Sequence, residues 1–258
     1  RLVGGSVLGF FANDRAYDAF HTNGEIKAVG VVALHSDYLN VGVGIGTDVD
    51  KTPQMAGRTS IRQALDDLEY NPSVAYLAMM KRGVRDIINI RPISAITLTP
   101  AVTTKHMLMD SRILDGISSV TKRAVRLAGG GTSEFDFDKF DWTSSHQFFN
   151  GRVYEESVIS IVFGSDLEIG YGVASGYEVM GPGAFVTKGG NWTIEELNEK
   201  PAFEVLKDLL ERYTEIEVDK ITDNLIPISC SGYTFGYPEA TGDFYWPNFL
   251  MKSPNHRD

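Results

Sequence analysis

The segment Phe148–Ala202 sets the tightest limit on what this chain can fold into. It reads FFNGRVYEESVISIVFGSDLEIGYGVASGYEVMGPGAFVTKGGNWTIEELNEKPA, a succession of short strands joined by tight turns. Asn150-Gly151 is a hairpin signal, because both residues tolerate positive φ. Val158–Phe163 is an apolar, β-branched run of strand length. Gly164-Ser165-Asp166 turns the chain into Leu167–Ala174, where Gly170 and Gly172 interrupt the strand. Such glycines mark bulges or close approach of a ligand or another backbone. Val186-Thr187-Lys188 and the turn Gly189-Gly190-Asn191 follow, and Thr193 then reads as the cap of a helix with Glu195 and Glu196 in its first turn.

A weaker copy of the same order stands near the start of the chain, at nearly constant separation. Asn23-Gly24 corresponds to Asn150-Gly151, Val29–Leu34 to Val158–Phe163, and Ser36-Asp37 to Ser165-Asp166. Gly42 and Gly44 correspond to Gly170 and Gly172, and each copy precedes an amphipathic helix, around Thr59–Leu68 and Pro201–Tyr213. The repeated order points to an internal duplication, with pseudo-repeats over about 1–70 and 127–213. Further elements follow from pattern: a helix over Thr59–Tyr70, buried strands at Val74–Met80 and Ala95–Thr99, and a helix over Asp110–Arg126. Acidic, aromatic Thr132–His146 reads as a loop or edge hairpin with Phe135, Phe137 and Phe140 turned inward. Ile221–Pro247 holds short aromatic-rich pieces. The expected class is α/β (α+β): duplicated, mainly antiparallel sheets stacked face to face with helices outside, an αββα-like four-layer sandwich.

Composition removes several functions. A net charge of −10 over 258 residues argues against general affinity for nucleic acid or anionic membranes. No apolar run approaches the ~20 residues that span a bilayer. Cys230 is the single cysteine, so an intrachain disulfide or a cysteine zinc site is excluded, and a reducing cytoplasm is the expected location. Because the sequence opens on Arg1, it reads as part of a longer protein.

Catalytic motifs fail one by one. No phosphate loop of the Walker type and no Gly-x-Ser-x-Gly elbow occurs. Gly42, Gly44 and Gly46 lack the spacing and the following helix of a dinucleotide loop, and read as a glycine-rich twisted strand. Asp136–Asp141 lacks the glycine and the distal glutamate of a calcium loop. The five histidines, His21, His35, His106, His146 and His256, are scattered and form no zinc pair. Cys230 reads as a buried small hydrophobe. The expectation is no catalytic residue, no metal and no cofactor. Glycine turns with neighbouring hydroxyls remain. Gly129, Gly130 and Gly131 would offer backbone N–H groups to an anion, with Thr132 and Ser133 beside them. Gly172, Ser175, Tyr177, Thr187 and Lys188 would add contacts. Two readings stand side by side: a ligand pocket, or glycines that merely serve tight turns.

The runs LAGGGTS, NGRVYEESVISIVF and GPGAFVTKGGNWTIEELNEKPAFEVLKDLL resemble the FIST domain, a sensory module found alone or joined to signalling partners. Its pattern falls here on Gly129–Thr132, Asn150-Gly151, Gly181-Pro182-Gly183, Val186-Thr187-Lys188, Gly190-Asn191 and Leu197 to Pro201-Ala202. The resemblance covers 1–213 as the N-terminal FIST region, with 214–258 as the opening of the C-terminal one or an abbreviated tail. Val173–Tyr177 departs from the cysteine or histidine often found there. The resemblance implies binding of a small ligand, an amino acid or derivative, coupled to a signalling output domain or partner protein, without catalysis. A protein-interaction scaffold and an enzyme on the same fold, using Lys188 or Asp166, are the competing expectations.

Overall fold

The computed structural model describes residues 1–18, 27–68, 93–100, 103, 109–122, 125–139, 141–165, 169–172, 177–190, 193–214, 233–238 and 244–245. The chain divides into two compact units, Arg1–Tyr171 and Gly172–Asp258. Expectations for Asn23-Gly24, Val74–Met80, Asp166, Ser175 and most of Ile221–Pro247 fall outside the described residues.

The first unit is built on a four-stranded sheet. Its strands are β4 (Leu39–Gly46), β11 (Val158–Ser165), β5 (Ile93–Pro100) and β6 (Arg126–Thr132), in that spatial order. β11 pairs antiparallel with both β4 and β5, and β5–β6 is parallel. Helix α1 (Pro53–Asp67) lies on the face of β4 that carries Gly42, Gly44 and Gly46. A Cβ at these positions would land on the carbonyl oxygens of Ala64, Ser60 and Ala56, so only glycine lets the helix backbone come this close. Helix α2 (Asp110–Thr121) crosses α1 where Gly57 meets the Ile113 carbonyl and Gly116 the Gln54 carbonyl. Ile61, Leu65, Ile113, Ile117, Val158 and Val162 fill the core between these elements. Ser60 and Ser160 meet inside it through their hydroxyls at 2.9 Å, so neither polar group is left unpaired.

A second sheet in this unit has the order β1 (Val3–Gly5), β9 (His146–Phe149), β10 (Arg152–Glu155). Its hairpin turns on Asn150 and Gly151, at φ 47° and 81°, as the sequence predicts. Two smaller hairpins join β2 (Gly9–Ala12) to β3 (Arg15–Asp18), and β7 (Glu134–Asp136) to β8 (Asp141–Thr143). The latter is the expected edge hairpin, and Phe135 packs edge-on against Phe137 and Trp142.

The second unit carries β12 (Val186–Gly189), β13 (Ile194–Leu197) and β14 (Lys200–Pro201), then helix α3 (Ala202–Tyr213) and a short pair, β15 (Tyr237–Pro238) with β16 (Phe244–Tyr245). Leu206 and Leu210 form its buried centre, with Phe203, Tyr233 and Phe235 around them. The class is α+β with mainly antiparallel sheets and three helices among the described residues.

Four local expectations are corrected. The triple glycine is no turn: Gly129–Gly131 run inside β6, where the missing Cβ lets Gly129 lie against the Thr97 carbonyl. Thr193 caps no helix, because Ile194–Leu197 are drawn into the β12–β13 pair and the helix waits until Ala202. Val29–Leu34 has no regular secondary structure and is exposed. The Asp110 helix stops at Thr121, where Lys122 turns left-handed at φ 51°.

Candidate functional site

β4 is an edge strand among the described residues, and an edge strand presents backbone groups that need partners. α1 supplies two of them. Gln63 and Asp67 stand one helical turn apart, on the same side of α1. The Val43 N–H donates to Asp67 Oδ2 at 3.0 Å, and the Ile45 N–H donates to Gln63 Oε1 at 2.9 Å. Arg1 then closes on the same carboxylate, Nε to Oδ2 and Nη2 to Oδ1, both at 2.8 Å. The hydrogen bonds from Arg1 hold the Asp67 carboxyl below its ordinary range, against a smaller opposing effect of burial.

Arg1 is positioned from the next residue. The Leu2 N–H donates to Asn150 Oδ1 at 3.2 Å, and the Asn150 N–H donates to the Leu2 carbonyl at 2.7 Å. The hairpin turn thus fixes the strand end that carries Arg1. Together Arg1, Val43, Gln63, Asp67, Phe149 and Asn150 line an open cleft of about 410 Å³. A broader groove of about 580 Å³ on the outer side of α1 shares Gln63 and adds Arg58 and Arg62.

The donor inventory of the cleft is one-sided. Asp67 has both oxygens engaged, and the amide oxygens of Gln63 and Asn150 accept backbone N–H groups. What these side chains retain is N–H: the amide NH₂ of Gln63, that of Asn150, and the Nη1 side of the Arg1 fork. A cleft lined by spare donors and a guanidinium suits a carboxylate or another small anion.

The residues expected from the sequence are distributed differently. Gly129–Ser133 lie in the first unit, while Gly172, Tyr177, Thr187 and Lys188 lie in the second. Thr132 is buried, and its hydroxyl donates to the Thr99 carbonyl at 3.0 Å. The same oxygen contacts Ser145 Oγ at 2.9 Å and accepts from Gln147 Nε2 at 2.7 Å. Gln147, fully buried, also accepts from the Ser157 N–H and hydroxyl. Thr132 therefore belongs to a saturated polar seam. The Ser133 N–H donates to the Ser6 carbonyl, and Gly130 faces open space. In the second unit Thr187 Oγ1 accepts the Glu199 N–H at 2.9 Å, and Lys188 pairs with Glu195 at 2.8 Å. That hydrogen bond, with the charges of Glu195 and Glu196, raises the Lys188 pKa, the wrong direction for a base at neutral pH. Tyr177 is half-buried, and Gly172 is exposed with nothing near its Cβ position.

Sequence reasoning missed Arg1, Gln63 and Asp67. The available signal was the Gln63/Asp67 pair on the polar side of a helix that follows a glycine-rich strand. Among the described residues no cluster of His, Cys, Asp and Glu is arranged to hold a metal, and no helix is long and apolar enough to cross a membrane. A comparison with curated proteins found no match. Comparison with protein families matches residues 1–200 to the FIST N domain, a domain that generally serves sensing in signal-transduction proteins. The chain belongs to the FIST N-domain family.

Proposed function

We propose that this chain is a cytoplasmic sensory domain that binds a small carboxylate-bearing ligand, an amino acid or a derivative, and passes its occupancy to a signalling partner or output domain. The ligand carboxylate would lie on the Nη1 side of Arg1, with the Gln63 and Asn150 amides donating to it. The carrying observation is the bidentate Arg1–Asp67 pair, which uses one edge of the guanidinium and leaves the other toward a cleft of spare donors. Asp67 screens the guanidinium enough to keep it ordered, and the amide donors add direction. The role first expected for Gly129–Ser133, Thr187 and Lys188 is less well supported, because Thr132, Thr187 and Lys188 already hold protein partners.

Thermal-shift and calorimetric titrations with amino acids, dicarboxylates and nucleotides test this reading. A ligand that binds only the folded state raises the melting temperature by mass action. Gln63→Glu and Asn150→Asp keep the acceptors for Ile45 and Leu2 but replace the spare donors by negative charge. Both variants should melt as the parent does and lose the ligand-induced shift. Retained affinity in the double variant would place the ligand elsewhere.

A further inference from the structure

Residues 27–35 form an exposed segment of the first unit with strand composition and no strand partner among the described residues, and a turn at Ser36–Leu39 follows it. Val29, Val31, Val32 and Leu34 are 89%, 78%, 85% and 66% exposed, one after another along the chain. Isolated exposed apolar residues need no explanation, but a contiguous run marks an interaction surface. The segment is tethered at Gly30, whose Cβ position lies 2.9 Å from the Phe10 ring, itself stacked on Tyr17 at 4.9 Å. The β2–β3 hairpin therefore holds the segment at one point and leaves its valines outside.

We propose that residues 27–37 are a homodimer interface, in which this segment pairs antiparallel with the same segment of a second copy about a twofold axis at Val32. The sequence KAVGVVALHSD is self-complementary in that one register. At the end of the ladder Lys27 of each copy meets Asp37 of the other, which opens the Ser36–Leu39 turn, so the arrangement closes with two symmetric opposite-charge pairs. Leu34 stands opposite Gly30, Val31 opposite Ala33, Val29 opposite His35, and the two Val32 side chains meet on the axis. Sliding the pairing by one residue sets Lys27 against Ser36 or Tyr38, loses both charge pairs and turns every side chain to the other face. On a chain of net charge −10, such local pairs are what favour self-association over general repulsion. Strand addition also satisfies the segment's backbone groups, which side-chain contact alone would leave to water.

Sedimentation velocity of the 258-residue chain over a wide concentration range tests the interface. The expected result is a reversible monomer–dimer equilibrium. Val32→Lys places two lysines face to face on the axis and should weaken the dimer by at least about tenfold, with an unchanged circular dichroism spectrum. Lys27→Asp should weaken it less, and adding Asp37→Lys should restore it. Val32→Cys should give a disulfide-linked dimer on mild oxidation, since directly opposed strand residues lie within disulfide reach. A monomer at every concentration, a dimer indifferent to Val32→Lys, or a charge-swapped double variant as weak as Lys27→Asp would each overturn the proposal.

Discussion

The two units bury their helices by different means. α1 rests on β4 backbone to backbone, through Gly42, Gly44 and Gly46, and its core is filled mainly by small and β-branched side chains, with Leu65 and Met109. α3 carries a side-chain stripe, Leu206 and Leu210, among partly buried aromatic rings. In the first arrangement the obstacle to any added atom is main chain, which cannot rotate away. In the second it is the end of a side chain, which can. The first unit should therefore answer to single methyl groups, and the second to loss of whole side chains.

Gly44→Ala tests that contrast most severely. Its methyl would meet the Ser60 carbonyl and the Ala64 N–H, displacing α1 from the sheet. We expect a loss of about 4 kcal/mol, above ordinary overpacking because backbone must move. Urea denaturation measures it, and a loss under about 1 kcal/mol would show that α1 slides freely on β4.

Gln147→Leu comes next. It keeps the volume but leaves the buried Ser157 N–H and hydroxyl without their acceptor, while Thr132 and Ser145 lose one donor and keep each other. Orphaned buried groups cost about 1–3 kcal/mol each when nothing replaces them, so we expect about 3 kcal/mol in all. Hydrogen exchange should quicken at β6, β9 and β11, which the seam joins, and leave β12–β14 unchanged.

How far the sequence foretold these elements follows from the range of the forces involved. The Asn150-Gly151 hairpin, the β5 and β11 strands and the three helices rest on local periodicity and turn chemistry, and all were legible. The turns at Asn13-Asp14 and Asn198-Glu199 adopt the same positive φ without a glycine, so the usual signal was missing. Glu195 and Glu196 suit a helix start locally, but strand pairing with β12 overrides them. Gly129–Gly131 has no local strand propensity at all. It is placed by β5, which needs a partner whose backbone can come close. The cleft was less legible than the fold for the same reason. Arg1, the Gln63/Asp67 pair and Asn150 are remote from one another in sequence, and only the edge of β4 and the hairpin turn bring them together.

In the second unit, Leu206→Ala removes one of the two leucines of the cluster under α3. Phe203, Tyr233 and Phe235 can relax into the space, so the expected loss is about 2 kcal/mol, at the low end for leucine truncation. Amide exchange should rise along α3 while α1 stays protected. Equal rises in both helices would show that the two units unfold as one, which would dissolve the contrast between them.

The smallest effect separates the units by charge. His146 sits between two carboxylates, Nδ1 2.6 Å from Glu134 and Nε2 3.2 Å from Glu155. The hydrogen bond to Glu134 raises its pKa above the ordinary 6.5, with added attraction from both carboxylates outweighing burial. Burial resists ionisation of Glu134, but hydrogen bonds from Ser6 and His146 outweigh it and hold that carboxyl below its usual range. The native state thus binds the imidazole proton more tightly than the unfolded chain. This stabilisation is complete below about pH 6.5 and is lost as pH rises through the raised value. The site is partly open to solvent, so the change should stay under about 1 kcal/mol. In the second unit Lys188, paired with Glu195, has its pKa raised from 10.5 and keeps its charge throughout this range. Between pH 6 and 8 the urea midpoint of the first unit should fall, and His146→Gln should flatten that slope. The second unit, followed by exchange along α3, should not respond. A slope that survives His146→Gln would assign the titration to another group and leave the His146 ion pairs without a role in stability.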